Sequence, residues 1–166
     1  ELYNTDELRE GLRNRGRLFR GRSDTEVMVE GIAEYGIEEM LSKVNGMFAF
    51  GVYDFRLQKL FLARDRLGIK PLYYGFLSGN LVFGSEANAL RHHPNWTGTI
   101  ERDSITAFLR NSYIPSPQCV YKNVSKVIPG ELLSIGCEGQ IVQKKYWSLK
   151  QSILQSKQAE NRLEEP

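Results

Sequence analysis

The residues able to do chemistry in this chain are few and oddly distributed. Cys119 and Cys137 have no C-x-x-C spacing, and neither lies near a histidine in sequence, so no Cys–His nucleophile pair can be argued from them. Free thiols in a reducing compartment fit this pattern, with a single disulfide closing the short intervening loop as the alternative. His92 and His93 are adjacent, and neighbouring side chains diverge. They read as a surface turn before Pro94, and no metal site is expected. The chain holds no P-loop, no G-x-G-x-x-G, no H-E-x-x-H and no G-x-S-x-G. Its densest unusual segment runs from Ala63 to Tyr74 (ARDRLGIKPLYY) and places Arg64, Arg66, Lys70 and Asp65 between two strand-like stretches. Gly68 permits a tight backbone there and Pro71 stiffens the entry to the next strand. Such a loop could cradle an anion, or Asp65 could pair with Arg64 or Arg66 to fix its shape. Six arginines between residues 9 and 22 (Arg9, Arg13, Arg15, Arg17, Arg20, Arg22) raise the same choice. They form either an anion patch or a solvated turn beside the acids Asp24, Glu26, Glu30, Glu34, Glu38 and Glu39. With a single aromatic, Phe19, in that stretch and no nucleic-acid motif, the solvated turn is the better reading.

These residues need a scaffold, and the composition supplies one. A chain of 166 residues with 41% hydrophobic and 25% charged residues is about one domain's worth, and it excludes collagen and wholesale disorder. A net charge of +2 is too mild to argue for a nucleic-acid or membrane partner, and no apolar run reaches the ~20 residues of a membrane span. The opening ELYNTDELRE is unlike a signal peptide. It starts with Glu rather than Met, so a fragment or processed product is expected. The pattern predicts a helix over Thr5–Asn14, with Asn4 as N-cap and Leu8 and Leu12 as its apolar pair. Ser23-Asp24-Thr25-Glu26 fits the S-x-x-E capping box of a second helix, with Val27, Met28, Gly31, Ile32 and Tyr35 on one face and Gly36 as C-cap. A short helix over Ile37–Val44 follows. Met47–Asp54 with Lys59–Arg64, and Tyr73–Phe76 with Leu81–Gly84, read as hairpins. Glu86–His92 reads as a helical turn, and Arg102–Asn111 as a helix with Ile105 and Leu109 inward. Glu131–Ile135 with Ile141–Trp147 makes a last hairpin. The tail from Lys150 is polar, with no sustained core face.

On these motifs the chain is similar to a known family. NGMFAFGVYDFRLQKLFLARDRLGIKPLYYG followed by LVFGSEANAL closely resembles the class II glutamine amidotransferase domain of glutamine-hydrolysing asparagine synthetases. ELYN at Glu1–Asn4 looks like the end of that family's N-G-E-[IL]-Y-N motif, and GRSDTEV at Gly21–Val27 like its G-[RS]-S-D-[TC]-E-V motif. Ile128–Leu133 and Tyr146-Trp147 match its later "PG…L" and "YW" segments. The likeness spans Glu1 to about Leu149.

The resemblance implies an α+β, Ntn-hydrolase-like four-layer αββα sandwich, present in part. Residues 1–149 would be the amidotransferase domain and residues 150–166 the start of a linker toward an ATP-dependent synthetase domain. In the family an N-terminal Cys attacks the glutamine amide, with its own α-amino group as base and an Asn side chain and a Gly amide as oxyanion hole. This chain starts at the Glu of the motif, so no catalytic residue is assigned to it and the chain alone is expected to be inactive. The positions that carry over are Glu1 and Asp24, which match the residues holding the α-amino end of glutamine, a fitting task for carboxylates. Arg64, Asp65, Arg66 and Lys70 match a family signature and are taken as architectural. Glutamine is the expected ligand, with aspartate and ATP (with Mg) acting in the synthetase domain, a homodimer of the parent, and a cytoplasmic location. A non-catalytic amidotransferase-like binding module is one alternative. Another class II amidotransferase with a different acceptor, such as the purine-pathway or hexosamine enzymes, is the other.

Overall fold

The structure is a computed structural model that describes residues 1–163. Residues 164–166 of the expected 150–166 linker lie outside the described residues. The chain divides into two compact units, Glu1–Phe48 with Lys145–Pro166, and Ala49–Lys144.

The first unit is helical. Helices α1 (Thr5–Arg13), α2 (Asp24–Tyr35) and α3 (Ile37–Lys43) follow the predicted pattern closely. Most of their buried positions are apolar, Leu8 and Leu12 in α1, Val27 and Met28 in α2, Met40 and Leu41 in α3, with Arg9 of α1 buried beside them. The arginine-rich turn is served by the neighbouring acids. Arg17 pairs with Glu34 at 2.8 Å and Glu30 at 3.4 Å, and Arg15 with Glu34 at 3.7 Å. A further helix, α5 (Leu149–Leu163), occupies the tail, where the lack of an apolar face suggested none. Its residues are mostly strong helix formers, and Ser148 Oγ accepts from the Gln151 amide at 3.3 Å, so local propensity and a cap stand in for a core face.

The second unit is a pair of antiparallel sheets. Strands β1 (Ala49–Asp54), β2 (Lys59–Arg64), β6 (Glu131–Gly136) and β7 (Ile141–Lys145) form one sheet in the order β1-β2-β6-β7. Strands β3 (Tyr73–Leu77), β4 (Asn80–Gly84) and β5 (Val124–Lys126) form the other in the order β4-β3-β5. Leu60 and Leu62 of β2 with Leu133 and Ile135 of β6 meet Tyr74 of β3 and Leu81 of β4 across a shared core. Alternation along β3 sends Tyr73 to the opposite face, where Leu90, Cys119 and Val124 make a second apolar cluster. The fold class is thus α+β, as expected. Strand β5 went unread because three residues carry too short a period to recognise.

The Arg64–Lys70 loop is resolved in favour of architecture, by a different route from ion pairing alone. Asp65, 1% exposed, accepts from the backbone amides of Leu67 (3.1 Å), Ile69 and Lys70 (both 2.9 Å). Arg64 donates to the carbonyls of Gly68 (2.7 Å), Lys70 and Val127 (both 2.8 Å). Burial pulls the Arg64 guanidinium below its usual range, opposed by Asp65 and Tyr73. The Asp65 carbonyl also accepts from Gly130 at 3.0 Å. A Cβ on Gly68, where φ is 69°, would come within 2.6 Å of Pro129, so only glycine lets the RDRLG and PG segments close on each other.

Helix α4 (Arg102–Asn111) has the predicted bounds but not the predicted face. Ile105 is 38% exposed and Leu109 78% exposed, while Ser104 is buried at 1%. Its hydroxyl donates to the Cys119 carbonyl at 2.7 Å. A buried hydrogen bond, rather than the apolar pair, fixes which side of the helix faces inward. Two substitutions check both findings by chemical denaturation. Asp65→Ala removes a buried carboxylate that three loop amides share as acceptor and is expected to cost about 2–4 kcal/mol. Leu109→Ser is expected to stay within about 0.5 kcal/mol of the parent chain; a loss above about 2 kcal/mol would return Leu109 to the core.

Candidate functional site

Asp24 is the first residue of α2, where unpaired amides and the helix dipole favour a carboxylate. It does not have to cap the helix, because Ser23 Oγ accepts from the Glu26 amide at 3.2 Å. The Asp24 carboxylate turns instead toward the first residues of the chain. Its Oδ2 accepts from the Leu2 amide at 3.1 Å and lies 3.6 Å from the Glu1 nitrogen. Burial alone would raise the carboxyl's pKa, but the amides of Leu2 and Thr25, its own amide and the positive charge on Glu1 together hold it below the ordinary range. Its side chain remains 38% exposed, so it is reachable by a solute.

What fixes Glu1 and Leu2 beside Asp24 is the segment after α3. The Glu1 nitrogen donates to the Met47 carbonyl, and the Met47 amide donates back to the Glu1 carbonyl, both at 2.9 Å. Tyr3 donates to Asn45 at 2.8 Å, and Leu2 pairs with Gly46 as an antiparallel bridge. A Cβ at Gly46 would lie 2.4 Å from the Glu1 carbonyl oxygen and 2.8 Å from the Leu2 Cα. The Asn45-Gly46 pair is therefore where two backbones touch. Asn4 completes the seam. Expected as a helix cap, it makes no side-chain cap bond. Its Nδ2 donates to the Lys43 carbonyl at 3.0 Å and its Oδ1 accepts from the Asn45 amide at 2.9 Å.

Both expected site residues thus meet at one place, Asp24 through its carboxylate and Glu1 through its backbone, with the Glu1 side chain exposed. Arg9 is the buried arginine that composition hid. It was grouped with the solvated arginines, yet it is 7% exposed, donating to the carbonyls of Gly21 at 2.9 Å and Ser23 at 3.1 Å. Its place three residues before Leu12, on the flank of the apolar stripe, was the available signal. The cysteines lie elsewhere. Cys119 is buried in the outer cluster of the second unit, and the exposed Cys137 donates from Sγ to the Gln58 carbonyl at 3.2 Å.

The chain is similar to known proteins in sequence and in fold. A family profile described as "Glutamine amidotransferase domain" matches residues 1–147. The chain is 35% identical over 150 residues to asparagine synthetase 3 (glutamine-hydrolyzing) of Bacillus subtilis, covering 90% of this chain and 24% of that protein. To asparagine synthetase 1 (glutamine-hydrolyzing) of the same organism it is 37% identical over 147 residues, covering 89% and 23%. Among solved structures, it is similar to the glutamine phosphoribosylpyrophosphate amidotransferase of B. subtilis with a TM-score of 0.59 and 25% identity, covering 88% of this chain and 27% of that one. The chain spans about a quarter of the length of the curated relatives it matches.

The lowered Asp24 pKa sets the sign of a pH effect. A carboxyl depressed on folding contributes stability above its unfolded value, and loses it as pH falls through the folded one. The stability gap between the parent chain and Asp24→Asn is expected to shrink on acidification below about pH 4, measured by denaturant unfolding across pH. A gap that widens there would reverse the assignment.

Proposed function

This chain belongs to the family of glutamine amidotransferase domains, and from that premise we propose that residues 1–149 are the glutamine-recognising part of a glutaminase domain of the asparagine-synthetase kind. In this reading Glu1 and Asp24 hold the α-ammonium of glutamine. The observation that carries it is the Asp24 carboxylate, kept ionised at a helix start, partly open to solvent and anchored by the Leu2 amide. A carboxylate in that state forms charge-assisted hydrogen bonds to an ammonium without first having to lose a proton.

The parent activity would be release of ammonia from glutamine for ATP-dependent amidation of aspartate, in a cytoplasmic homodimer. Residues 150–166 would lead toward the synthetase domain, where ATP and magnesium act. Among the described residues no three His, Cys, Asp or Glu side chains come together as a metal-ligand set. A different acceptor is the second reading, supported by the structural likeness to phosphoribosylpyrophosphate amidotransferase at 25% identity. The identity of 35–37% to asparagine synthetases favours the first.

No catalytic role is assigned to either thiol, Cys119 being buried and Cys137 exposed, so the 166-residue chain is expected to release no ammonia from glutamine above buffer background. Turnover abolished by substituting Cys119 or Cys137 would contradict this. For recognition, calorimetric binding of L-glutamine to the chain is expected to weaken roughly ten- to a hundred-fold in Asp24→Asn, the size of one charge-assisted contact. Ser23→Ala should instead cost about 1 kcal/mol of stability with glutamine affinity nearly kept. Unchanged affinity in Asp24→Asn would leave the carboxylate as a helix-dipole partner only.

A further inference from the structure

We propose that Arg9 and Glu26 are positioning residues for glutamine recognition, acting as two jaws that hold the 20–23 loop and thereby set where Asp24 presents its carboxylate. The proposal deepens the function proposed above and rests on it for the identity of the ligand.

The loop between Phe19 and α2 has exposed side chains from Arg20 to Ser23 and no helix or strand of its own. Its peptide groups are nonetheless held from both sides. Glu26 accepts from the amides of Arg20 at 2.6 Å and Gly21 at 2.9 Å. Arg9 donates to the carbonyls of Gly21 and Ser23. The two jaws also meet, with Arg9 Nη1 4.0 Å from Glu26 Oε2. Gly21 is thus gripped at both its N–H and its C=O.

The contact at Ser23 carries the mechanical link. Its carbonyl belongs to the peptide unit whose nitrogen is that of Asp24, so the Arg9 fork fixes the plane from which Asp24 departs. Glu26 makes a second telling choice. In a capping box the N3 acid returns to the N-cap amide, whereas here it reaches past Ser23 to residues 20 and 21. Arg9 is in turn braced by the Phe19 ring, 4.6 Å from its guanidinium carbon. Taking a guanidinium out of water is costly, and a guanidinium matches the fork geometry of paired carbonyls in a way an ammonium does not. The arrangement spends that cost on an exposed loop that leads directly into Asp24.

Two readouts on the intact chain test this, and they separate the clamp from the ligand. The first is the preference for L-glutamine over its analogue lacking the α-amine (4-carbamoylbutanoate), measured by calorimetry. The second is the side-chain carboxyl titration of Asp24 followed by carbon NMR, which needs no ligand; the Glu1 ammonium facing Asp24 is common to every variant. In Glu26→Gln and Arg9→Met the preference is expected to fall about ten-fold, toward that of Asp24→Asn. The Asp24 midpoint is expected to rise toward the ordinary carboxylate value in both, and Arg9→Lys, which keeps charge without the fork, should restore neither. Glu26 is partly exposed, at 22%, and glutamine keeps its shape, so the Glu26→Gln variant keeps the test valid if Arg9→Met fails to fold. A folded Glu26→Gln with unchanged preference and unchanged Asp24 midpoint overturns the proposal. Restoration of both readouts by Arg9→Lys would overturn the role of the fork. No preference in the parent chain would remove the glutamine reading, and the Asp24 midpoints alone would then decide whether the clamp sets the carboxylate.

Discussion

Peptide groups that lie outside helices and strands and away from water must find partners, and both units of this chain depend on how that demand is met. Charged side chains meet it. In the sheet unit, Asp65 collects amides while Arg64 collects carbonyls, and together they weld the RDRLG loop to the Pro129-Gly130 turn. In the helical unit, Glu26 collects amides while Arg9 collects carbonyls, and Asn4 and Asp24 do the same for the first residues of the chain. An acid for N–H groups and an arginine for C=O groups recur as a pair. The resulting loops have their peptide groups paired without any regular structure.

The pattern also explains what could be read from sequence and what could not. Helix α2 was legible because its start is local: Ser23 caps Glu26 three residues on, and Gly36 closes the other end at a φ of 79°. The β1–β2 and β3–β4 hairpins were legible because aromatic and β-branched runs alternate with turn residues. Asp24 and Glu1 were legible only through resemblance, since the seam joining them runs through Gly46, whose role is a contact with distant backbone. Arg9 was missed for the same reason. Its partners are carbonyls twelve and fourteen residues away, and backbone carbonyls leave no mark on composition. The inward face of α4 was misjudged because a single buried hydroxyl at Ser104 outweighed an apolar pair, a choice that periodicity cannot register.

The proposed function rests on one carboxylate, Asp24. The family profile spans nearly the whole described chain, and the residues that resemble its glutamine-binding motif are brought together by contacts within a single unit. The Leu2 amide, hydrogen-bonded to Asp24 Oδ2, is a built-in reporter of that carboxylate. The most direct measurement is the amide NMR spectrum of the isotope-labelled chain titrated with L-glutamine. A saturable shift of the Leu2 and Asp24 amides, absent in Asp24→Asn, is the predicted result. Shifts confined to the sheet unit, or a Leu2 resonance indifferent to glutamine, would contradict the account.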